Sequence, residues 1–302
     1  MVVTPPAHLE RYAPIVEDAS AFFAASARPL PRVVWANPLK GDVAEVIAAL
    51  RTRCPDAVPL KWDPAALKLP STAKPGRWPE YALGLAHAQE EAAMWAVRAL
   101  DVLPGQRIVD LCAAPGNKTA QIAALMQNRG MVVANEHATA RLASLRFNLD
   151  RLGVSCAVVM RHDAAVVPGA DGEADAVLAD VPCSCEGTSR KHLRAPSSRF
   201  RATVVQVQTA ILRRALRLVK PGGVVVYSTC TYAPEENEGV LSAISPELAR
   251  VEPFSPPSGF VTRPGLVSWG ESTFREDAVH AHRIWPHDND TGGFFVAKLR
   301  RV

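Results

Sequence analysis

The chain is short of most features that would place it quickly. No apolar run among its 302 residues is long enough to cross a bilayer. The N-terminus, Met1-Val2-Val3-Thr4-Pro5-Pro6, has no basic stretch leading into an apolar core, so no secretory signal is read. None of the six cysteines, at 54, 112, 156, 183, 185 and 230, forms a Cys-x-x-Cys pair. That usage fits a reduced, cytoplasmic protein better than a disulfide framework. The dinucleotide fingerprint G-x-G-x-x-G is missing, and so are internal repeats and low-complexity tracts. What remains is an ordinary globular composition, 48% apolar and 21% charged. A net charge of +4 permits an anionic partner such as nucleic acid without requiring one.

The richest stretch is Arg107 to Thr119, Arg-Ile-Val-Asp-Leu-Cys-Ala-Ala-Pro-Gly-Asn-Lys-Thr. Ile108, Val109 and Leu111 read as a buried strand, Ala113-Ala114-Pro115-Gly116 as a tight turn, and Lys118 as the entry to a helix. Small side chains let a ligand approach the backbone, and the helix start offers free N–H groups to an anionic group. Strand, turn and helix form the first unit of an open α/β nucleotide site. Lys118-Thr119 imitates the end of a phosphate-binding loop, but Asn117 stands where that loop needs glycine. A tight connection without a ligand is the plain alternative.

Before this stretch, His8 to Ala27 is apolar at helical spacing and ends at Pro29 and Pro31. Arg32 to Ala36 reads as a strand, and a helix follows Gly41-Asp42 through Val43, Val46, Ile47 and Leu50. Residues 54–80 place Trp62 and Trp78 among Lys61, Lys68, Lys74 and Arg77. This is either a solvated loop with half-buried tryptophans or a surface that stacks single-stranded RNA. Glu80 to Leu100 reads as one helix, and the boundary between a small α+β unit (1–100) and the main domain (101–302) is set there. Beyond it, strands at 131–136, 156–161, 175–181 and 224–230 alternate with helices at 120–129, 139–152, 200–219 and 235–244, and a hairpin-like strand, 293–300, closes the chain. The alternation predicts a mostly parallel α/β sheet with right-handed crossovers.

Ligands of such sheets sit beyond the C-terminal strand ends. Those ends carry Cys112–Gly116, Glu136, Asp163, Asp180 to Cys183, and Ser228-Thr229-Cys230. Glu136 is placed to accept hydrogen bonds from a ribose diol, Asp163 to meet an adenine amino group and Asp180 an ammonium. Together they describe a nucleoside carrying an amino acid, S-adenosylmethionine, although any one of them could be a solvated strand-end carboxylate. Cys183 and Cys230 end neighbouring strands, where a thiol is more accessible than in a core and its thiolate can react. The alternatives are a buried structural cysteine or zinc. Cys183-x-Cys185 lacks a zinc-ligand spacing and His192 adds a single candidate, so no metal is expected.

Three segments carry a resemblance: Asp110-Leu-Cys-Ala-Ala-Pro-Gly-Asn-Lys-Thr119, Asp180-Val-Pro-Cys-Ser-Cys-Glu-Gly-Thr188, and Ser228-Thr-Cys-Thr231 followed by Pro234-Glu-Glu-Asn-Glu238. They resemble the RNA cytosine-5 methyltransferases of the Sun/Nop2 (NSUN) family. Gly292-Gly-Phe-Phe-Val-Ala297 resembles that family's last strand; Arg32 to Lys40 and Tyr81 to Met94 resemble its N-terminal RNA-binding subdomain. The chain departs from the pattern at Asn117 and Cys185, where the family usually has glycine.

The resemblance implies a Rossmann-like methyltransferase sheet with a small N-terminal RNA-binding subdomain. It implies that Cys112, Ala113, Ala114, Pro115, Gly116, Asn117 and Lys118 wrap the methionine end of S-adenosylmethionine. Glu136 would take the ribose, Asp163 the adenine side, and Asp180 would lie between cofactor and base. Cys230 would be the nucleophile, and Cys183 would help release the product. Arg190, Lys191, Arg194, Arg199 and Arg201 form a basic run expected to hold RNA phosphates. The expected substrate is 16S-type rRNA, with tRNA as runner-up, and the expected state a cytoplasmic monomer with no membrane contact. A catalytically silent RNA-binding assembly factor and a small-molecule methyltransferase are the rival readings.

Overall fold

The computed structural model describes residues 7–191 and 195–302. The N-terminal unit is a four-stranded sheet of order β2-β3-β1-β4, made of β1 (Arg32–Ala36), β2 (Val58–Pro59), β3 (Ala66–Leu69) and β4 (Ala86–Ala88). Every described pairing in it is antiparallel. Helix α1 (Ala19–Ser26) precedes this sheet and α2 (Val43–Arg53) follows β1. Asp42 caps α2, accepting from the Glu45 amide at 3.0 Å.

Two expected helices are broken. The segment 8–27 is a 3-10 helix, Ala7–Ile15, followed by α1, because Pro14 interrupts the first and Asp18 caps the second through the Ala21 amide. The segment 80–100 holds a single helical turn, α3 (Pro79–Ala82), then β4, then α4 (Glu91–Arg98). Gly84, at φ +77°, ends the turn, and Val34 to Ala36 claim Ala86 to Ala88 as a strand partner. Apolar spacing alone could not report that pairing.

The remainder follows the expected alternation. It comprises β5 (Arg107–Asp110), α5 (Asn117–Leu125), β6 (Met131–Asn135), α6 (Thr139–Arg151), β7 (Ala157–Met160), β8 (Ala174–Asp180), α7 (Ser198–Leu218) and β9 (Val219–Thr229). Strands β9-β8-β5-β6-β7 are parallel in that order. After α8 (Glu238–Ser242) come β10 (Ala249–Val251), β11 (Arg263–Pro264), β12 (Ser268–Trp269), β13 (Ser272–Thr273), β14 (His282–Ile284), helix α9 (Pro286–Asn289) and β15 (Phe294–Arg301). Strand β15 runs antiparallel to β9, and β14 and β10 pair with β15 in turn. The sequence reading leaves residues 220–223, with Pro221-Gly222-Gly223, between helix and strand. Instead β9 begins at Val219 and bulges there, since Ala174 faces Val219 while Ala176 faces Val224. Helix α8 is shorter than the expected 235–244.

Alternate residues of β8 serve both faces of the sheet. Val177 and Ala179 pack with Ile211, Leu212 and Ala215 of α7, while Ala176 and Leu178 pack with Trp95 and Ala96 of α4 and Ile122 of α5. From β5 successive strands are added on one side as far as β7, and from β8 on the other, so the crevice for a ligand opens at the C-terminal ends of β5 and β8. No helix among the described residues is long and apolar enough to cross a membrane.

Candidate active site

The expected strand-end residues do converge. A cavity of about 720 Å³ at the C-terminal edge of the parallel strands is lined by Cys112, Glu136, Asp163, Asp180, Cys183, Cys185 and Cys230, among others. A second cavity of about 260 Å³ shares Cys112, Ala114 and Asp180 with it. Its other walls are Pro115, Asn117, Lys118 and Lys191 on one side and Arg32, Gln89 and Glu90 on the other. The two spaces therefore join the sheet edge to the N-terminal unit.

The turn after β5 is fixed from several sides. Its Ala114–Pro115 bond is cis, and Gly116 sits at φ +104° at the cap of α5. A Cβ at Gly116 would meet Leu145 at 3.2 Å in a backbone region that side chains rarely adopt. Asn148 donates to the Pro115 carbonyl at 2.9 Å, and Arg141 donates to that of Ala114. Asn135 donates to the carbonyls of Leu111 and His162 at 3.0 and 3.1 Å, which ties the ends of β5, β6 and β7 together.

The three carboxylates differ in setting. Glu136 is buried; its Oε1 accepts from the Ala138 amide at 2.8 Å, while Oε2 lies 3.2 Å from Arg141 Nη1 without a hydrogen bond. A buried acceptor facing a cavity in this state suits a hydroxyl donor such as a ribose diol. Asp163 is exposed and accepts from the Ala165 amide at 2.9 Å. Asp180 is held between Lys118 Nζ and Ser228 Oγ, each at 2.7 Å. Cavity size, a buried carboxylate oxygen that makes no hydrogen bond and the spread of the carboxylates fit S-adenosylmethionine.

The thiols form one cluster. Cys183 Sγ lies 3.3 Å from Cys230 Sγ and 3.8 Å from Cys185 Sγ. Hydrogen bonds to Cys185 and Cys230, then burial, push the Cys183 thiol pKa well up. For Cys230, the Cys183 hydrogen bond favours the thiolate, but the hydrogen bond to Cys185, burial and the Asp180 charge outweigh it and push that thiol up too. Both cysteines are therefore protonated at rest.

Two buried glutamates hold the cysteine loops. Glu186 Oε2 accepts from Tyr12 at 2.7 Å, Ser184 Oγ at 3.0 Å and Thr231 Oγ1 at 3.2 Å. Glu236 Oε2 accepts from the Ser184 amide at 2.8 Å and Gln208 at 2.9 Å. Neither glutamate, nor Arg141, Asn135 or Asn148, was singled out from the sequence. Lone polar residues on helices and loops give no local sign of a distant partner.

Asn117, one of the two departures, has a partner. Arg151 donates to His87 Nδ1 at 2.7 Å, and His87 Nε2 lies 2.9 Å from Asn117 Oδ1. Arginine has no acceptor, so Nδ1 must be bare and Nε2–H donates to Asn117. Burial lowers the His87 pKa to about 4, which keeps that tautomer neutral.

The basic run does not act as one surface. The Arg190 side chain is 1% exposed and donates to the carbonyls of Arg28, Pro29 and Thr291 and to Asp290. Arg201 pairs with Glu186 at 3.4 Å. Lys191 and Arg199 remain exposed; Arg194 and His192 lie outside the described residues. The tryptophan-rich edge is also partly structural: Trp62 and Lys68 both bind Glu91, and Trp78 is half-buried against the N-terminal core.

A doubly wound sheet with this turn has the Rossmann-like architecture of the methyltransferases. More narrowly, residues 97–300 match the family model described as 16S rRNA methyltransferase RsmB/F, and the chain belongs to that family. It is similar to a ribosomal RNA small subunit methyltransferase F of Erwinia tasmaniensis, 36% identical over all of this chain and 64% of that protein. It is also similar to a tRNA (cytosine(49)-C(5))-methyltransferase of Pyrococcus abyssi, 34% identical over 97% of this chain and 95% of that one. A solved methyltransferase homolog from Pyrococcus horikoshii superposes with a TM-score of 0.84 at 28% identity, covering 99% of this chain and 100% of that one. The chain spans 62–64% of the length of the rRNA relatives from Aeromonas hydrophila and Erwinia tasmaniensis.

Proposed function

We propose that this protein methylates carbon 5 of cytosine in RNA, with 16S-type rRNA as substrate and Cys230 as covalent nucleophile. The observation that carries the reading is the pair of thiols, Cys183 and Cys230, 3.3 Å apart on the wall of a cavity that also holds Glu136, Asp163 and Asp180. Bound S-adenosylmethionine supplies an electrophilic methyl group. In this reading Cys112 to Lys118 surround its methionine end, Glu136 takes the ribose and Asp163 the adenine side.

Carbon 5 of cytosine is a poor nucleophile. Addition of the Cys230 thiolate to carbon 6 makes an enamine that attacks a methyl donor. Asp180, oriented by Lys118 and Ser228, is the candidate acid near N3, and its proton stabilises that intermediate by hydrogen bonding to N3. Loss of the carbon 5 proton then expels Cys230, and Cys183 assists that release. A base stacked in a duplex cannot meet thiol and methyl donor on opposite faces, so the target is unpaired or flipped. Residues 1–100 carry the RNA and 101–302 the chemistry, with Arg32, Lys191 and Arg199 as the exposed cations toward phosphates. A tRNA substrate is the second reading, favoured by the match over 95% of the tRNA methyltransferase relative.

The test supplies tritiated S-adenosylmethionine and separate rRNA and tRNA fractions to wild type, Cys230→Ala and Cys183→Ala proteins. Expected are 5-methylcytidine in rRNA, no product from Cys230→Ala, and a covalent protein–RNA adduct that persists with Cys183→Ala. Label confined to tRNA overturns the substrate, and full turnover by Cys230→Ala overturns the nucleophile. Cofactor binding without transfer to either RNA favours the assembly-factor reading.

A further inference from the structure

We propose that Cys183, Cys185 and Cys230 together form a binding site for a thiophilic divalent cation of the zinc class, and that binding of the metal impairs methyl transfer. The three Sγ atoms all lie within 4.8 Å of one another. Two of the separations are 3.3 and 3.8 Å. Tetrahedral zinc with bonds of about 2.3 Å sets its sulfur ligands about 3.8 Å apart, so a cation can enter with small side-chain adjustments. Two of the sulfurs belong to the segment after β8, and the third arrives just past the end of β9, the strand next to β8, so no single segment carries the ligand spacing.

Cys185 makes the cluster a metal site rather than a thiol pair. It occupies the left-handed region, φ 59° and ψ 25°, where a side chain costs about 1 kcal/mol or more. In that conformation its Sγ lies back beside Cys183, and the turn is fixed because the Cys185 carbonyl accepts from the Thr188 amide at 3.0 Å and its hydroxyl at 2.7 Å. The buried network of Ser184, Glu186 and Glu236 holds the flanking loop, so the ligands are positioned by more than their own rotamers. All three cysteines line the 720 Å³ cavity, so the cluster stands beside open space that can supply an exchangeable fourth ligand. An all-sulfur donor set selects soft and borderline cations over magnesium or calcium.

Binding forms three metal–sulfur bonds and releases three thiol protons to solvent, with no change of oxidation state. The inhibitory consequence rests on the reading of Cys230 as nucleophile: a thiolate bound to the metal shares its charge with the cation and is held against the other two sulfurs, so it is a poorer nucleophile toward carbon 6. The binding claim itself does not depend on that reading.

The test uses reduced full-length protein, with Zn2+ and Cd2+ as probes. Zn2+ affinity is measured by competition with a chromophoric chelator, and Cd2+ coordination by the sulfur-to-metal charge-transfer absorption in the ultraviolet. Wild type is expected to take up one equivalent with a three-thiolate band. Cys185→Gly suits the left-handed backbone and Cys185→Ser keeps the side-chain size. Each should reduce the band to that of two thiolates and weaken Zn2+ binding by at least about 100-fold, since even outer-shell losses cost 10–100-fold. Equal affinity in wild type and both variants, or no stoichiometric uptake, overturns the site. In single-turnover methyl transfer, the Zn2+ concentration that halves each protein's own metal-free rate should rise by a similar factor in Cys185→Gly. Tight three-thiolate binding with undiminished transfer would instead overturn Cys230 as nucleophile and leave the metal site standing.

Discussion

At the scale of single residues, burial makes the acidic groups of the site hold their protons more tightly. The Cys230 thiol is pushed up by Cys185, burial and Asp180 against the opposing pull of Cys183. At limiting RNA, kcat/KM reports the free enzyme, so its logarithm should climb with pH at unit slope through neutrality and beyond. A plateau already reached at pH 7 would contradict the resting thiol. Asp110, at the end of β5, is pushed up to about 6, chiefly by burial, with the Thr119 hydrogen bond opposing and the Asp180 charge adding. An unfolded aspartate titrates near 3.8, so between there and about 6 the unfolded chain loses its proton first and stability falls as pH rises. Asp110→Asn removes that loss. In urea titrations the variant should gain on wild type by up to about 3 kcal/mol between pH 4 and pH 7. An unchanged difference at the two pH values would refute the raised carboxyl.

At the scale of elements, the short 3-10 turn Glu186–Thr188 connects the cysteine loops to β15. Gly187 donates to the Cys230 carbonyl at 2.9 Å and accepts from the Gly293 amide at 2.8 Å. A Cβ at Gly187 would lie 2.2 Å from the Gly293 carbonyl oxygen, and backbone on both sides leaves no room to yield. Gly187→Ala should cost about 1–3 kcal/mol or more and displace Cys230 from Cys183, read as a lower melting temperature together with a lower kcat. Wild-type values of both would show that the loop relaxes freely. The same scale explains the failures of sequence reading. Apolar spacing over 80–100 fits a helix, yet β1 recruits 86–88 as a strand because an edge of paired backbone outweighs local propensity.

At the scale of the molecule, the N-terminal segment is clamped across the C-terminal half. Leu9, Tyr12 and Phe22 pack with Tyr232 and Trp285 in one cluster, and Tyr12 reaches Glu186 beneath the cysteine loop. Behind it, Arg283 donates to Glu238 at 2.7 Å, with side chains 4% and 0% exposed. Glu238→Ala leaves the guanidinium buried with its Tyr232 carbonyl contact alone among those two, at 2.9 Å, and should destabilise the fold by about 3–5 kcal/mol in denaturant titration. A loss under about 1 kcal/mol would show that water reaches the pocket. Tyr12→Phe removes a hydroxyl from Glu186 and should cost about 1–2 kcal/mol.

The sequence by itself determined the parallel α/β alternation, the turn after β5 and the strand-end positions of Glu136, Asp163, Asp180, Cys183 and Cys230. Each of these follows from local patterning: apolar runs, turn residues, and the rule that such sheets present ligands at one edge. Only the tertiary structure decided which groups meet. It spent Arg190 and Arg201 on internal partners, set Lys118 against Asp180, gave Asn117 to His87, and drew Cys185 into the thiol pair. Those outcomes depend on hydrogen bonds and packing between residues far apart in the chain, and local sequence carries no energy term for a partner it has not yet met.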